Sequence, residues 1–440
     1  MNNERNCNLT MDGQLELGGI SALALAKEFG TPLYVMDEAR IRTVCKAFTK
    51  ALNENYGKGT IAYASKAFST KAIYKIVDSE GLSADVVSAG EIYTALSVGF
   101  PAEKLFFHGN NKLIDELEYA VDNKIGHIVI DSLDEIDVLD AICAQKCAIQ
   151  KVLIRVNPGV EAHTHKAVQT ATPDSKFGFS VDNSQALTAA KGVLGAKNLR
   201  LSGFHCHIGS QIFEKSAFVV AVDKMADFLS VVKQNLGFET EVLNLGGGFG
   251  IKYTAEDPTF TAEDYADYIV SAINALKKAL KIRQLSEPYL VFEPGRSIVG
   301  EAGTTLYTVG AIKKIPGIRK YVSVDGGMFE SPRYALYGSK YDVCLASDPN
   351  ATPTQTVTIA GKCCESGDIV AADVQLPDVK RGDVLAVFST GAYHYSMSSN
   401  YNRNPIPPVV LVNNGVAEYI VKPQTLDDLC RNDVLPDRLK

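Results

Sequence analysis

"GTIAYASKAFS", residues 59–69, decides the fold. A β-branched and aromatic run ends in small residues and sets Lys66 at its tip. It then passes into "TKAIYKIVDSE", whose apolar residues recur at helical spacing. A strand followed by an amphipathic helix is one βα step. The step recurs at "ADVVS" (84–88), "KLFFH" (104–108), "HIVID" (127–131), "KVLIRVN" (151–157), "LSGFHCH" (201–207), "EVLNLG" (241–246) and "YLVFE" (289–293). Helical segments such as "AGEIYTALSVG", "SLDEIDVLDAICAQ" and "AEDYADYIVSAINALKKAL" lie between. Eight alternations over roughly 240 residues have the grammar of a (β/α)8 TIM-like barrel, with a doubly wound open sheet as the alternative.

After about residue 303 the pattern changes. "TTLYTVGAI", "KYVSVDGG", "TQTVTIAG", "GDVLAVFS" and "PPVVLVNNGVAEYIV" read as strands separated by Gly, Pro and Asn turns, so a β-rich second domain follows.

The 440 residues are 46% hydrophobic and 22% charged, as in an ordinary globular chain. The net charge of −7 and the lack of basic runs argue against a nucleic-acid or anionic-membrane surface. "MNNERNCNLTMDGQ" has no apolar signal core, and no run approaches the ~20 apolar residues of a membrane span. Nine cysteines without paired CxxC spacing suit a reducing compartment, and the expected location is cytoplasmic.

Barrel chemistry collects where strands end. Those ends carry Lys66, Asp85 to Glu91, His108, Arg155 and Asn157, His207, Gly246 to Gly248 in "LGGGFG", and Glu293 to Arg296 in "EPGR". The glycine triplet fits neither the dinucleotide fingerprint, which needs glycine at Ile251, nor a Walker loop. Placed after strand seven, however, Gly247 and Gly248 can bring backbone N–H groups to a phosphate, and Ser210 adds a hydroxyl. His205 and His207 share a face at HxH spacing. A metal barrel would need more carboxylates at other strand ends, so no metal is assigned.

A lysine amine, a phosphate cradle, an imidazole that can stack on a ring and a carboxylate at Glu293 together describe a site for pyridoxal 5'-phosphate. Lys66 would hold the aldehyde as a Schiff base. Glu293 on the pyridine nitrogen would keep that nitrogen protonated, which makes the ring an electron sink for a carbanion and favours loss of CO2 from an amino acid.

The chain resembles the diaminopimelate decarboxylase family of fold-type-III, alanine-racemase-like pyridoxal phosphate enzymes, from "GTPLYVMD" near residue 30 to "NYNRNPIPPVVLV". The resemblance implies the cofactor lysine Lys66 in "YASKA", the ring-stacking His207 and phosphate-binding Ser210 in "HIGS", and the phosphate loop "GGGFG". "EPGR" then brings Glu293 on the pyridine nitrogen, Gly295, and Arg296 near the phosphate and the substrate carboxylate, and Asp85 joins the cofactor-binding set. "SPRYALYGSKY" implicates Arg333 and Tyr337 at the substrate carboxylate. "CESGD" implies Cys364 as proton donor and Glu365 as ligand of the distal amine, both supplied to a neighbouring subunit, and "GAYHYSMSSNYN" places Tyr393 against phosphate or substrate.

The implied organisation is a barrel over 36–302 and a discontinuous β-rich domain over 1–35 and 303–440, in a homodimer with shared active sites. The implied reaction is decarboxylation of meso-diaminopimelate to L-lysine. The alternatives are a sister decarboxylase acting on ornithine, lysine or arginine, a racemase, which Glu293 speaks against, and a silent paralogue, which would typically lack the lysine or cysteine. Phe68, Cys363 and His394 depart from the family's commonest residues.

Overall fold

A computed structural model describes residues 8–160, 175–182 and 184–440. The chain divides into two compact units, one of Arg42–Ile251 with Pro258–Ile298, the other of Met1–Ile41, Lys252–Asp257 and Val299–Lys440.

The first unit holds all eight expected strands: Gly59–Ala64, Ser83–Val86, Leu105–Phe107, His127–Ile130, Gln150–Asn157, Leu199–Cys206, Val242–Asn244 and Tyr289–Phe292. Each pairs in parallel with its neighbour, the eighth pairs with the first, and the sheet is therefore a closed barrel rather than an open one. Because side chains alternate along a strand, every second residue enters the barrel. Ala62, Phe106, Val129, Leu153, Val242 and Val291 form one such apolar layer. Two positions further along the chain, at or just past the strand ends, stand Ala64, His108, Asp131, Arg155, Asn244 and Glu293, so the next layer is polar at all of these but Ala64.

Helices begin after the strands at side-chain caps. Thr70 accepts the Ile73 N–H and starts Lys71–Ser79, and Ser88 accepts the Glu91 N–H and starts Ala89–Leu96. Such a cap contributes about 1 kcal/mol by satisfying an orphan donor of the first turn.

The second unit is built on a mixed sheet. Its order is Ile369–Leu376, Gln355–Ala360, Arg319–Val324, Gly303–Ile315, Leu33–Asp37, Val409–Asn413 and Val416–Val421, with Val384–Phe388 joining Gly303–Ile315 and Val343–Leu345. Leu33–Asp37 lies between Gly303–Ile315 and Val409–Asn413, which draws the N-terminal segment into this unit. Its core gathers Leu15, Leu25, Leu33, Val35, Leu306, Ala386, Val410 and Val412. No helix among the described residues is long and apolar enough to cross a membrane.

Candidate active site

Lys66 stands on a single turn, Ser65–Ala67, just past the first barrel strand. Ser65 is fully buried, and its hydroxyl donates to the Asp85 carbonyl at 2.7 Å and to Glu91 Oε2 at 2.9 Å. Phe68 is buried and its carbonyl accepts the Tyr63 hydroxyl at 2.8 Å. The turn is thus nailed down on both sides of a lysine whose own side chain is exposed. Phe68, a departure at sequence level, serves as an anchor here.

The polar layer centres on Glu293. Its Oε1 accepts from His108 Nε2 at 2.8 Å and Asn244 Nδ2 at 2.6 Å, and its Oε2 accepts from His205 Nε2 at 3.1 Å. All four side chains are buried. Burial alone would push the Glu293 carboxyl up, but the neighbouring imidazoles, His108 foremost, hold it well below the usual carboxylate range. Burial pulls His108 down, yet the charges of Asp85 and Glu293 outweigh it and leave that imidazole above its ordinary value. His205 is driven to about 4 by burial. At neutral pH the layer therefore contains an anionic Glu293 and a neutral His205, with His108 shifted toward its charged form by the two carboxylates. His108, His205 and Glu293 also have the composition of a metal-ligand group, but their ligand atoms already meet at hydrogen-bond distances. Asp85, with Oδ1 at 3.8 Å from His108 Nε2, is raised by burial and by Glu293.

His207, two residues beyond His205, does not join that cluster; its Nδ1 accepts the Gly247 N–H at 3.3 Å. Burial, followed by the positive charges of Lys66 and Arg155, holds it well below its ordinary value and keeps the ring neutral. The glycine loop is packed backbone to backbone. A Cβ at Gly247 would stand 2.0 Å from the Glu293 carbonyl oxygen, and one at Gly248, with φ +110°, 2.4 Å from that of Gly209. Only glycine fits there. Gly295 likewise admits the end of the first strand, where a Cβ would meet the Ala64 carbonyl oxygen at 2.8 Å. Arg296, buried, donates from Nη2 to Ser210 Oγ at 2.9 Å.

These residues fit pyridoxal phosphate. A glycine loop with no room for side chains, a hydroxyl and a guanidinium suit a phosphate. Glu293 has three donors against the roughly four a carboxylate can accept, which leaves capacity on Oε2 for a ring N–H.

The other expected residues lie in the β-rich unit. Arg333 is buried; its Nε donates to the Tyr341 hydroxyl at 3.1 Å, and its guanidinium lies 5.1 Å from the Tyr337 ring centroid and 5.4 Å from that of Tyr393. Tyr393 adopts φ +63° to face it. His394, fully buried, packs edge-on against Tyr341 with centroids 5.2 Å apart. Cys364 and Glu365 are not part of this group; they are exposed on the turn between Gln355–Ala360 and Ile369–Leu376. Sequence reasoning missed Asn244 and Tyr341. Asn244 had a signal, since it occupies an inward position just before the glycine triplet, and Tyr341 closes the "SPRYALYGSKY" stretch in which only Arg333 and Tyr337 were singled out.

Residues 38–300 match the family model described as pyridoxal-dependent decarboxylase, pyridoxal binding domain. The chain is 50% identical over 424 residues to the diaminopimelate decarboxylase of Bacillus subtilis (strain 168), covering 96% of this chain and 95% of that protein. It is 48% identical to the Staphylococcus aureus (strain COL) enzyme of the same name over 423 residues, 96% of this chain and 98% of that one. Among solved structures, a diaminopimelate decarboxylase from M. jannaschii in complex with L-lysine superposes with a TM-score of 0.91 at 35% identity, covering 99% of each chain. This chain belongs to the diaminopimelate decarboxylase family, and its cofactor is pyridoxal 5'-phosphate.

Proposed function

We propose that this protein decarboxylates meso-2,6-diaminopimelate to L-lysine and CO2, the last step of lysine biosynthesis, as a cytoplasmic homodimer with shared active sites. The observation that carries the reaction type is the buried Glu293, held ionised by His108 and hydrogen-bonded by His205 and Asn244. Bound pyridoxal phosphate supplies an electron sink for the carbanion left when CO2 departs.

The chain's own residues do the rest. The Lys66 amine would hold the cofactor aldehyde. The N–H groups of Gly247 and Gly248, the Ser210 hydroxyl and the Arg296 guanidinium would hold the phosphate, and Gly295 lets the loop carrying Arg296 approach. The neutral His207 would lie against the ring, where a cation would compete for its electrons. Glu293 would accept the ring N–H and keep that proton in place, while Asp85 and Glu293 favour the charged form of His108.

Arg333 receives the carboxylate that the product retains. Tyr341 occupies its Nε and two tyrosine rings flank it; the Nη1/Nη2 edge makes no hydrogen bond among the described residues and matches a planar carboxylate. Tyr337 and Tyr393 flank that carboxylate. Cys364 delivers a proton to the α-carbon and Glu365 takes the distal ammonium, both in the site of a second copy.

Ornithine lacks the distal carboxylate and would leave Arg333 buried and unpaired, a large selective penalty. The test is CO2 release from meso-diaminopimelate, ornithine, arginine and D-lysine, measured in parallel. Release from diaminopimelate above all others is expected; release from ornithine with none from diaminopimelate overturns the substrate assignment.

A further inference from the structure

The last residue of "CCESGD" is a buried carboxylate that joins two segments of the β-rich unit. Asp368 Oδ1 accepts the Met328 N–H at 2.6 Å, and its Oδ2 accepts the Cys363 N–H at 2.6 Å. Met328 belongs to the stretch that runs directly into the helix Arg333–Tyr337, and Cys363 immediately precedes Cys364. Backbone packing leaves the carboxylate just enough room. A Cβ on Gly361 would stand 2.3 Å from both its oxygens, and one on Gly327 2.6 Å from Oδ2.

Two further bonds hold the same turn. The Lys362 N–H donates to the Gly326 carbonyl at 3.0 Å, and the Cys364 N–H to Asn402 Oδ1 at 2.8 Å. Cys364 and Glu365 project from the turn into the open. Short bonds from N–H groups to a charged acceptor in a buried place are the strong kind, and they fix direction as well as distance.

We infer that Asp368 is a positioning residue, which fixes the turn bearing Cys364 to the segment leading to Arg333 and so sets where the proton donor stands. The inference rests on Cys364 being that donor. Delivering a proton to carbon needs near-contact geometry, and a displacement of about 1 Å can cost on the order of 10²-fold in rate. Asp368→Asn preserves shape but presents an NH2 group to one of the two N–H donors, so one bond is lost and the turn is released on that side.

The experiment is a double-mutant cycle on the cofactor-loaded enzyme with D368N, C364A and D368N/C364A. D368N is expected to lower kcat about tenfold or more with a smaller change in KM and an unaltered visible absorbance of the bound cofactor. The double variant is expected to match C364A. An equal fold-loss from D368N in both backgrounds, or a D368N enzyme with wild-type kcat, overturns the inference. Full activity in C364A overturns instead the reading of Cys364 as donor. If D368N does not fold, Gly361→Ala, whose methyl group displaces the carboxylate without changing charge, is put through the same cycle with the same two outcomes.

Discussion

Glu293 in the barrel and Glu330 in the β-rich unit are both buried carboxylates, and their affinities for a proton are shifted in opposite directions. Glu293 faces two imidazoles and an amide and is held well below the usual carboxylate range. Glu330 accepts the Tyr307 hydroxyl at 2.7 Å and the Gly327 N–H at 3.1 Å, and burial pushes it up to about 7. Equal burial with different partners separates a group held ionised, fit to hold a cofactor proton, from one that takes up a proton near neutrality and braces a loop.

The comparison can be broken in several ways. Replacing Lys66 with alanine removes the amine above the Glu293 layer, and should cut turnover on the order of 10³-fold or more, the scale for loss of a covalent group. Steady-state assays check this, and visible absorbance should lose the band of the lysine-bound cofactor. Glu293→Gln should lower kcat by about 10² to 10³, as expected when one preorganised charge is removed. Glu330→Gln, by contrast, should leave kcat within about twofold. Equal losses in the two glutamine variants would erase the distinction.

Stability should separate them next. With a folded pKa near 7 against an ordinary 4.5, Glu330 keeps its proton in the native state over that interval. Its stabilising contribution is complete below about pH 4.5 and is lost as pH rises through 7. Glu330→Gln lacks this loss, so its stability relative to wild type should grow from pH 5 to 8, by about 3 kcal/mol at most. Urea unfolding at the two pH values measures it. Glu293 has the opposite sign: its contribution is present above the ordinary carboxylate pKa and disappears as pH falls below it.

A smaller loss than at Lys66 or Glu293 is expected at Tyr341→Phe. It removes one hydrogen bond to the Arg333 guanidinium and should raise KM about tenfold with kcat nearly unchanged. An unchanged KM would show that Arg333 needs no such support.

Much of the barrel site was readable in the chain because its residues sit at strand ends, and strand ends can be found from periodicity. Lys66, His207, the glycine loop and Glu293 fall there. The residues of the β-rich unit have no such landmark. Arg333, Cys364 and Tyr393 emerged from motif resemblance, and Asp368, Tyr341 and Asn244 went unread as positioning groups. Their roles arise from pairings such as Asp368 with Met328, 40 positions apart, and Asn244 with Glu293, 49 apart. Phe68 and His394 looked like departures, yet both are buried packing residues, a status no local pattern records.

By itself, then, the sequence determined the βα rhythm, the change to turn-rich strands after the barrel, and which reactive residue stands at each strand end. These follow from side-chain period and turn chemistry, which are local. Tertiary structure alone decided that His205 serves Glu293 while His207 serves the glycine loop, and that one buried glutamate is held ionised while the other has its pKa pushed up to about 7. Ionisation depends on the field of residues brought together by folding, and that field exists only once strands far apart in the chain share a layer.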